Sequence, residues 1–171
     1  MLSKFVIKYG DKAVYLIGGF IVLVFAVIMI VMFANTGEKT PATSQKVWDE
    51  LVILGYEPAE TTYAYTDQNS HLQKSIAIET SSIRFDFFEF DNDSRALAMF
   101  KDSHSQIYEK RSAVFREWDE HYNNYTMYSM ESDETYYTVI RVGNTIIDAY
   151  CDAECTSELG KILTAIGYQD A

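Results

Sequence analysis

Three histidines, two cysteines and a run of carboxylates are the side chains through which this 171-residue chain could do chemistry. Glu117 and His121 stand four apart and would share a face if that stretch were helical, but two side chains do not hold a metal and no HExxH zinc pattern occurs. His104 follows Phe100 by one helical turn, a half-buried structural position rather than a catalytic one. The stretch "DFFEFDND" holds Asp86, Glu89, Asp91 and Asp93, and clustered carboxylates suit a hard cation such as calcium. It lacks the glycine and the distal glutamate of an EF-hand, and a solvated strand face running into a helix cap accounts for the same residues. Cys151 and Cys155 in "CDAEC" could close a local disulfide in an oxidising compartment, although a helical i,i+4 pair sits near the upper limit of the Cα separation a bridge tolerates. Two structural thiols is the simpler reading, because no second Cys/His pair completes a zinc site.

Tyr122, Tyr125, Tyr128, Tyr136 and Tyr137 crowd one region and could form an aromatic binding surface for sugar rings or a protein partner. Half of them lining a core explains the same pattern. No GxSxG, GxGxxG or GxxxxGK[ST] occurs, and eight scattered glycines leave little material for a phosphate loop. The residues thus name no catalytic group, no cofactor and no metal, and predict a protein that is not an enzyme.

The elements that would position these side chains follow from periodicity. Thr40 followed by Pro41 predicts an N-cap with proline at the first helical position, opening a helix to about Leu54 with Val47, Trp48, Leu51 and Leu54 on one face. "KSIAIET" and "SIRFDFFEFD" alternate like strands with a turn at 80–82, and the shift from Ile83, Phe85 and Phe87 to Phe88 and Phe90 predicts a bulge or a sheet covered on both sides. A helix from about Arg95 carries the stripe Ala96, Met99, Phe100, Ser103 and Ile107, and residues 111–123 read as helix end plus loop. "YTMYSM" reads as a strand, and "TYYTVIRVGNTIIDAY" as a hairpin turning at Gly143 and Asn144. The last helix has Leu159, Ile162, Leu163 and Ile166 inward. Gly55-Tyr56 and Gly167-Tyr168 end the first and last helices alike, which reads as a shared capping solution before a duplication, since nothing else clearly repeats. The order helix, two strands, helix, three strands, helix predicts an α+β domain with about five antiparallel strands and helices on one face.

Before this domain, residues 13–34 run for 22 positions without a charged side chain. As a helix they would span about 33 Å, enough for a hydrocarbon core of ~30 Å. Lys4, Lys8 and Lys12 precede the run, which places the N terminus in the cytoplasm and the domain outside. The expected division is a cytoplasmic segment 1–12, a transmembrane helix 13–34 in the lipid bilayer, a linker 35–43 and an extracytoplasmic domain 44–171. From residue 38 onward the chain holds 11 of the 14 Lys and Arg and 24 of the 25 Asp and Glu, and 11 against 24 leaves −13. Such a charge repels phosphate backbones and excludes nucleic acid as a partner.

The stretches "NYTMY", "VIRVGNTIIDAY" and "ILTAIGY" resemble a loose group of uncharacterised extracytoplasmic domains of Gram-positive bacteria, tethered by one helix or a lipid. The resemblance covers most of 44–168 and implies a fold and a compartment but no activity. Together these readings predict a single-pass cell-membrane protein that displays an acidic interaction module to an envelope protein partner. The alternatives are a cell-wall glycan or small-ligand binder and, after that, a hydrolase.

Overall fold

A computed structural model describes residues 23–24, 38–65, 71–113 and 115–170. The chain divides into two units, Met1–Thr36 and Gly37–Ala171, and in the first only Leu23 and Val24 are described, both helical. The rest of the apolar run 13–34 lies outside the described residues. Among the described residues no helix is long and apolar enough to cross a membrane. Among those residues the single-pass expectation is corrected: no spanning helix is described, so the cytoplasmic N terminus and the extracytoplasmic domain that depend on one are not carried further.

The second unit opens with helix α1 (Ser44–Ile53), then strand β1 (Ala59–Glu60) and the one-turn helix α2 (Thr62–Tyr65). Strands β2 (Leu72–Glu79) and β3 (Ile83–Phe90) lead to helix α3 (Asp93–Glu109). Strands β4 (Phe115–His121), β5 (Tyr125–Ser132), β6 (Thr135–Val142) and β7 (Thr145–Asp152) follow, then a 3-10 turn (Ala153–Cys155) and helix α4 (Thr156–Ile166). The strands form one antiparallel sheet in the order β1-β2-β3-β7-β6-β5-β4. Seven strands correct the expected five. The additional ones are β1, too short to show a period, and β4, whose "FREWDEH" does not alternate because six of its seven residues are exposed.

The helices also cover both faces, not one. Ile83, Phe85 and Phe87 of β3 point toward α1 and α4, where Val47, Leu51, Leu159, Ile162, Leu163 and Ile166 close the core. Phe88 and Phe90 point the other way, toward Ala96, Phe100 and Ile107 of α3. β3 pairs regularly with β7, and the register shift in its pairing with β2 falls on the β2 side, between Leu72 and Lys74. A Phe-Phe step on a strand needs apolar cover on two sides, and α3 supplies the second. Burying each such side chain stabilises by about 1.5–3 kcal/mol.

Helix α1 starts at Ser44, with Thr43 as N-cap accepting from the Lys46 N–H at 3.2 Å, later than the expected Thr40 and Pro41. Pro41 instead lies against the β6–β7 turn, so close that a Cβ on Gly143 would meet its Cγ at 2.8 Å. At α3 the Asn92 side chain accepts from the Arg95 N–H at 3.1 Å. Gly55 and Gly167 both adopt φ +88°, and in each case the following tyrosine N–H returns to the helix, Tyr56 to Leu51 O at 2.9 Å and Tyr168 to Leu163 O at 2.8 Å. A side chain with a Cβ resists that left-handed turn, which is why glycine stands there.

Candidate functional site

Two places in the domain carry chemistry. The first is a hollow of about 300 Å³ between the C-terminal half of α3 and the sheet, lined in part by Arg84, Asp86, Ser103, Lys110, Asp148 and Tyr150. Strand alternation turns Arg84 and Asp86 of β3 to the same side as Phe88. Asp86 and Asp148 then stand directly opposite each other on β3 and β7. Arg84 Nε donates to Asp86 Oδ2 at 2.9 Å, and Ser103 Oγ donates to Asp148 Oδ2 at 2.6 Å. Burial pushes both carboxyls above the ordinary carboxylate range, opposed at Asp86 by Arg84 and at Asp148 by the Ser103 hydroxyl. Lys110 caps α3 and holds its Nζ 4.7 Å from the Tyr137 ring centroid and 5.9 Å from that of Tyr150. A second hollow of about 390 Å³ continues along the flank of α3, sharing Tyr65, Phe88, Met99, Ser103 and Gln106 with the first and adding Leu72 and Phe90.

The second place is the β4 edge. β4 pairs only with β5, and among the described residues no strand lies on its other side. The Tyr122 N–H donates to Tyr125 O at 2.8 Å, which marks a hydrogen-bonded pair. In an antiparallel ladder such pairs alternate, so Glu117 and Asp119 turn their backbone N–H and C=O groups outward. The side chains there are acidic on both faces. Glu117 accepts from the Tyr128 hydroxyl at 3.0 Å, Asp119 pairs with His121 at 2.9 Å, and Glu120 lies beside Tyr125 on the opposite face with Arg116 and Trp118. Trp118 is 45% exposed and sits 6.4 Å from the Tyr136 ring.

The residues singled out by sequence are dispersed. His104 stacks on Phe100 at 6.2 Å and meets Tyr128 edge-on at 4.2 Å. His71 pairs with Asp91 at 2.8 Å. Glu117 and His121 lie on a strand, about 13 Å apart along it rather than one helical turn. Glu89 accepts from the Ser44 N–H and Asp93 starts α3, so the "DFFEFDND" carboxylates do not converge. Among the described residues no group of three or more His, Cys, Asp or Glu is placed to hold a metal ion. Tyr125 and Tyr136 belong to the α1/α4 face, Tyr128 and Tyr137 to the α3 face, and Tyr122 is exposed. The five tyrosines therefore do not share a surface. Cys151 and Cys155 are free thiols, and burial pushes the Cys151 thiol up to about 11. The hollow itself is absent from the sequence reading. Its available signal is Asp148 in "NTIIDAY", a charge at an inward-facing position of an apolar strand.

No family model matches the chain, and no curated protein matches it. Among solved structures it is similar to the crystal structure of a GTP binding regulator from Thermotoga maritima, at 12% identity and a TM-score of 0.38, over 70% of this chain and 83% of that one. A likeness that low carries no argument about either protein's function.

Proposed function

We propose that this chain is a non-enzymatic interaction module that captures an extended, basic segment of a protein partner along β4. The open edge of seven residues supports the reading, because its outward backbone groups at Glu117 and Asp119 are a template for one more strand. The other edge, β1, has two residues and offers no such template. Charge selects the guest. Glu117, Asp119 and Glu120 outnumber Arg116, and the net charge of −11 steers cations toward the domain. A second copy of the chain is a poor guest. In the symmetric register centred on Trp118 it would set Glu117 opposite Asp119, which repel, and Arg116 opposite Glu120, which attract, so a second copy gains less from charge than a basic segment does.

A synthetic peptide of alternating lysine and valine tests this, with Trp118 fluorescence as the readout and a glutamate/valine peptide as control. The basic peptide is expected to bind and the acidic one not to. Asp119→Pro removes one outward N–H while leaving the ladder to β5 intact, and is expected to weaken binding by at least ~10-fold, the order of one or two backbone hydrogen bonds. Asp119→Asn keeps the backbone donor and is expected to weaken it less. If the proline and asparagine variants lose the same affinity, the peptide is held by charge alone and strand capture is wrong.

A further inference from the structure

We propose that the hollow beneath α3 is a binding site for a primary alkylammonium group, which pairs with Asp148 in competition with the nearby ammonium of Lys110. The inference is independent of strand capture at β4, since the hollow is built on β3, β6, β7 and α3.

Three features of the hollow define a cation site. The Tyr137 and Tyr150 rings, with centroids 6.1 Å apart, both lie within cation–π range of the Lys110 Nζ. Asp148 brings a mostly buried carboxylate whose hydrogen-bond donor is the Ser103 hydroxyl, and it takes part in no ion pair among the described residues. Asp86 stands opposite it and is committed to Arg84. A buried carboxylate that is hydrogen-bonded but not ion-paired is costly, and an incoming ammonium relieves that cost. An anion would meet the two carboxylates, and the Arg84 guanidinium that could offset them is engaged with Asp86.

The shape fits an ammonium that carries a chain. Phe88, Met99 and Tyr65 line the wall beyond the carboxylates, and the wall continues into the second hollow past Leu72 and Phe90. Methylene groups laid there leave water while the charged head stays at Asp148. Lys110 is the C-cap residue of α3, so its flexible stem can swing out without breaking the helix. It acts as a tethered competitor of any free amine.

Calorimetric titration of the full chain with n-pentylamine tests this, with n-pentanol and pentanoate as neutral and anionic matches in size. The amine is expected to bind more tightly than either. Lys110→Met keeps the stem and removes the competing charge, and is expected to tighten amine binding by about 10-fold without tightening pentanol binding. Asp148→Asn still accepts from Ser103, and is expected to weaken amine binding at least about 10-fold. A lysine side chain presents the same ammonium, so lysine blocked at both backbone ends is titrated in parallel. Tighter binding of pentylamine marks a free small amine as the ligand, and tighter binding of blocked lysine marks a side chain. If the Lys110→Met chain binds amine and alcohol alike, the inference is overturned, whether or not the Asp148 variant folds.

Discussion

Truncating Phe87 to alanine is expected to destabilise the domain by about 3–5 kcal/mol, and truncating its neighbour Phe88 by a comparable amount. The two side chains point to opposite faces of β3. Phe87 is fully buried under α1 and α4, and Phe88 is packed on the α3 side with Tyr65 edge-on at 5.2 Å. A sheet with one solvated face would make one of the pair nearly silent. Thermal and urea unfolding of the two variants decide it. Small domains have total stabilities of roughly 5–15 kcal/mol, so either loss lowers Tm by on the order of 10 °C. One neutral variant would contradict the covering of both faces.

Raising the pH from 10 to 12 is expected to unfold the domain cooperatively, with Tyr168 as a principal cause. Its hydroxyl accepts from the Ala42 N–H at 3.0 Å and donates to Thr145 Oγ1 at 2.5 Å, whose own hydroxyl donates to Val142 O at 2.6 Å. The relay ties the chain ahead of α1 to the β6–β7 turn and to the end of α4. Burial pushes the Tyr168 phenol from its usual 10 up to about 12, against the smaller pull of its partners Thr145 and Ala42. The folded state thus keeps a proton that the unfolded chain releases above pH 10. Stability from this group is full below pH 10 and is lost as the pH rises toward 12, a contribution on the order of 3 kcal/mol. Tyr128, also pushed up to about 12 by burial and by Glu117, adds in the same direction. Tyrosinate absorbance at 295 nm should therefore rise together with loss of far-ultraviolet dichroism. Tyr168→Phe should shift that transition to higher pH relative to the variant's own neutral stability. It should also cost about 1–3 kcal/mol at neutral pH, because the Ala42 N–H loses its buried partner. Smooth titration of all tyrosines near pH 10 with the dichroism intact would contradict the relay.

These contrasts show what the sequence carries and what it does not. The stripes of α3 and α4 and the turn at Gly143 and Asn144 are local patterns, and the structure has them where the residues place them. The Gly-Tyr endings are equally local, since φ +88° is open to glycine at little cost. β4 is invisible to periodicity because a strand exposed on both faces has no apolar side to mark it. The start of α1 is misplaced because Pro41 packs against a turn about a hundred residues away, a contact no local window holds. The hollow is missed for the same reason. Asp86 and Asp148 are 62 residues apart and meet only because β7 inserts between β3 and β6 in the sheet. The tyrosine cluster is close in sequence yet dispersed in space, because neighbours such as Tyr136 and Tyr137 on one strand face opposite ways.

Amide hydrogen exchange of the full chain, read residue by residue with and without the alternating lysine/valine peptide, addresses strand capture most directly. The outward N–H groups of Glu117 and Asp119 are expected to exchange fast in the free chain and to slow by an order of magnitude or more when the peptide is bound. Unchanged exchange at those two amides under saturating peptide, with protection appearing elsewhere, would contradict it.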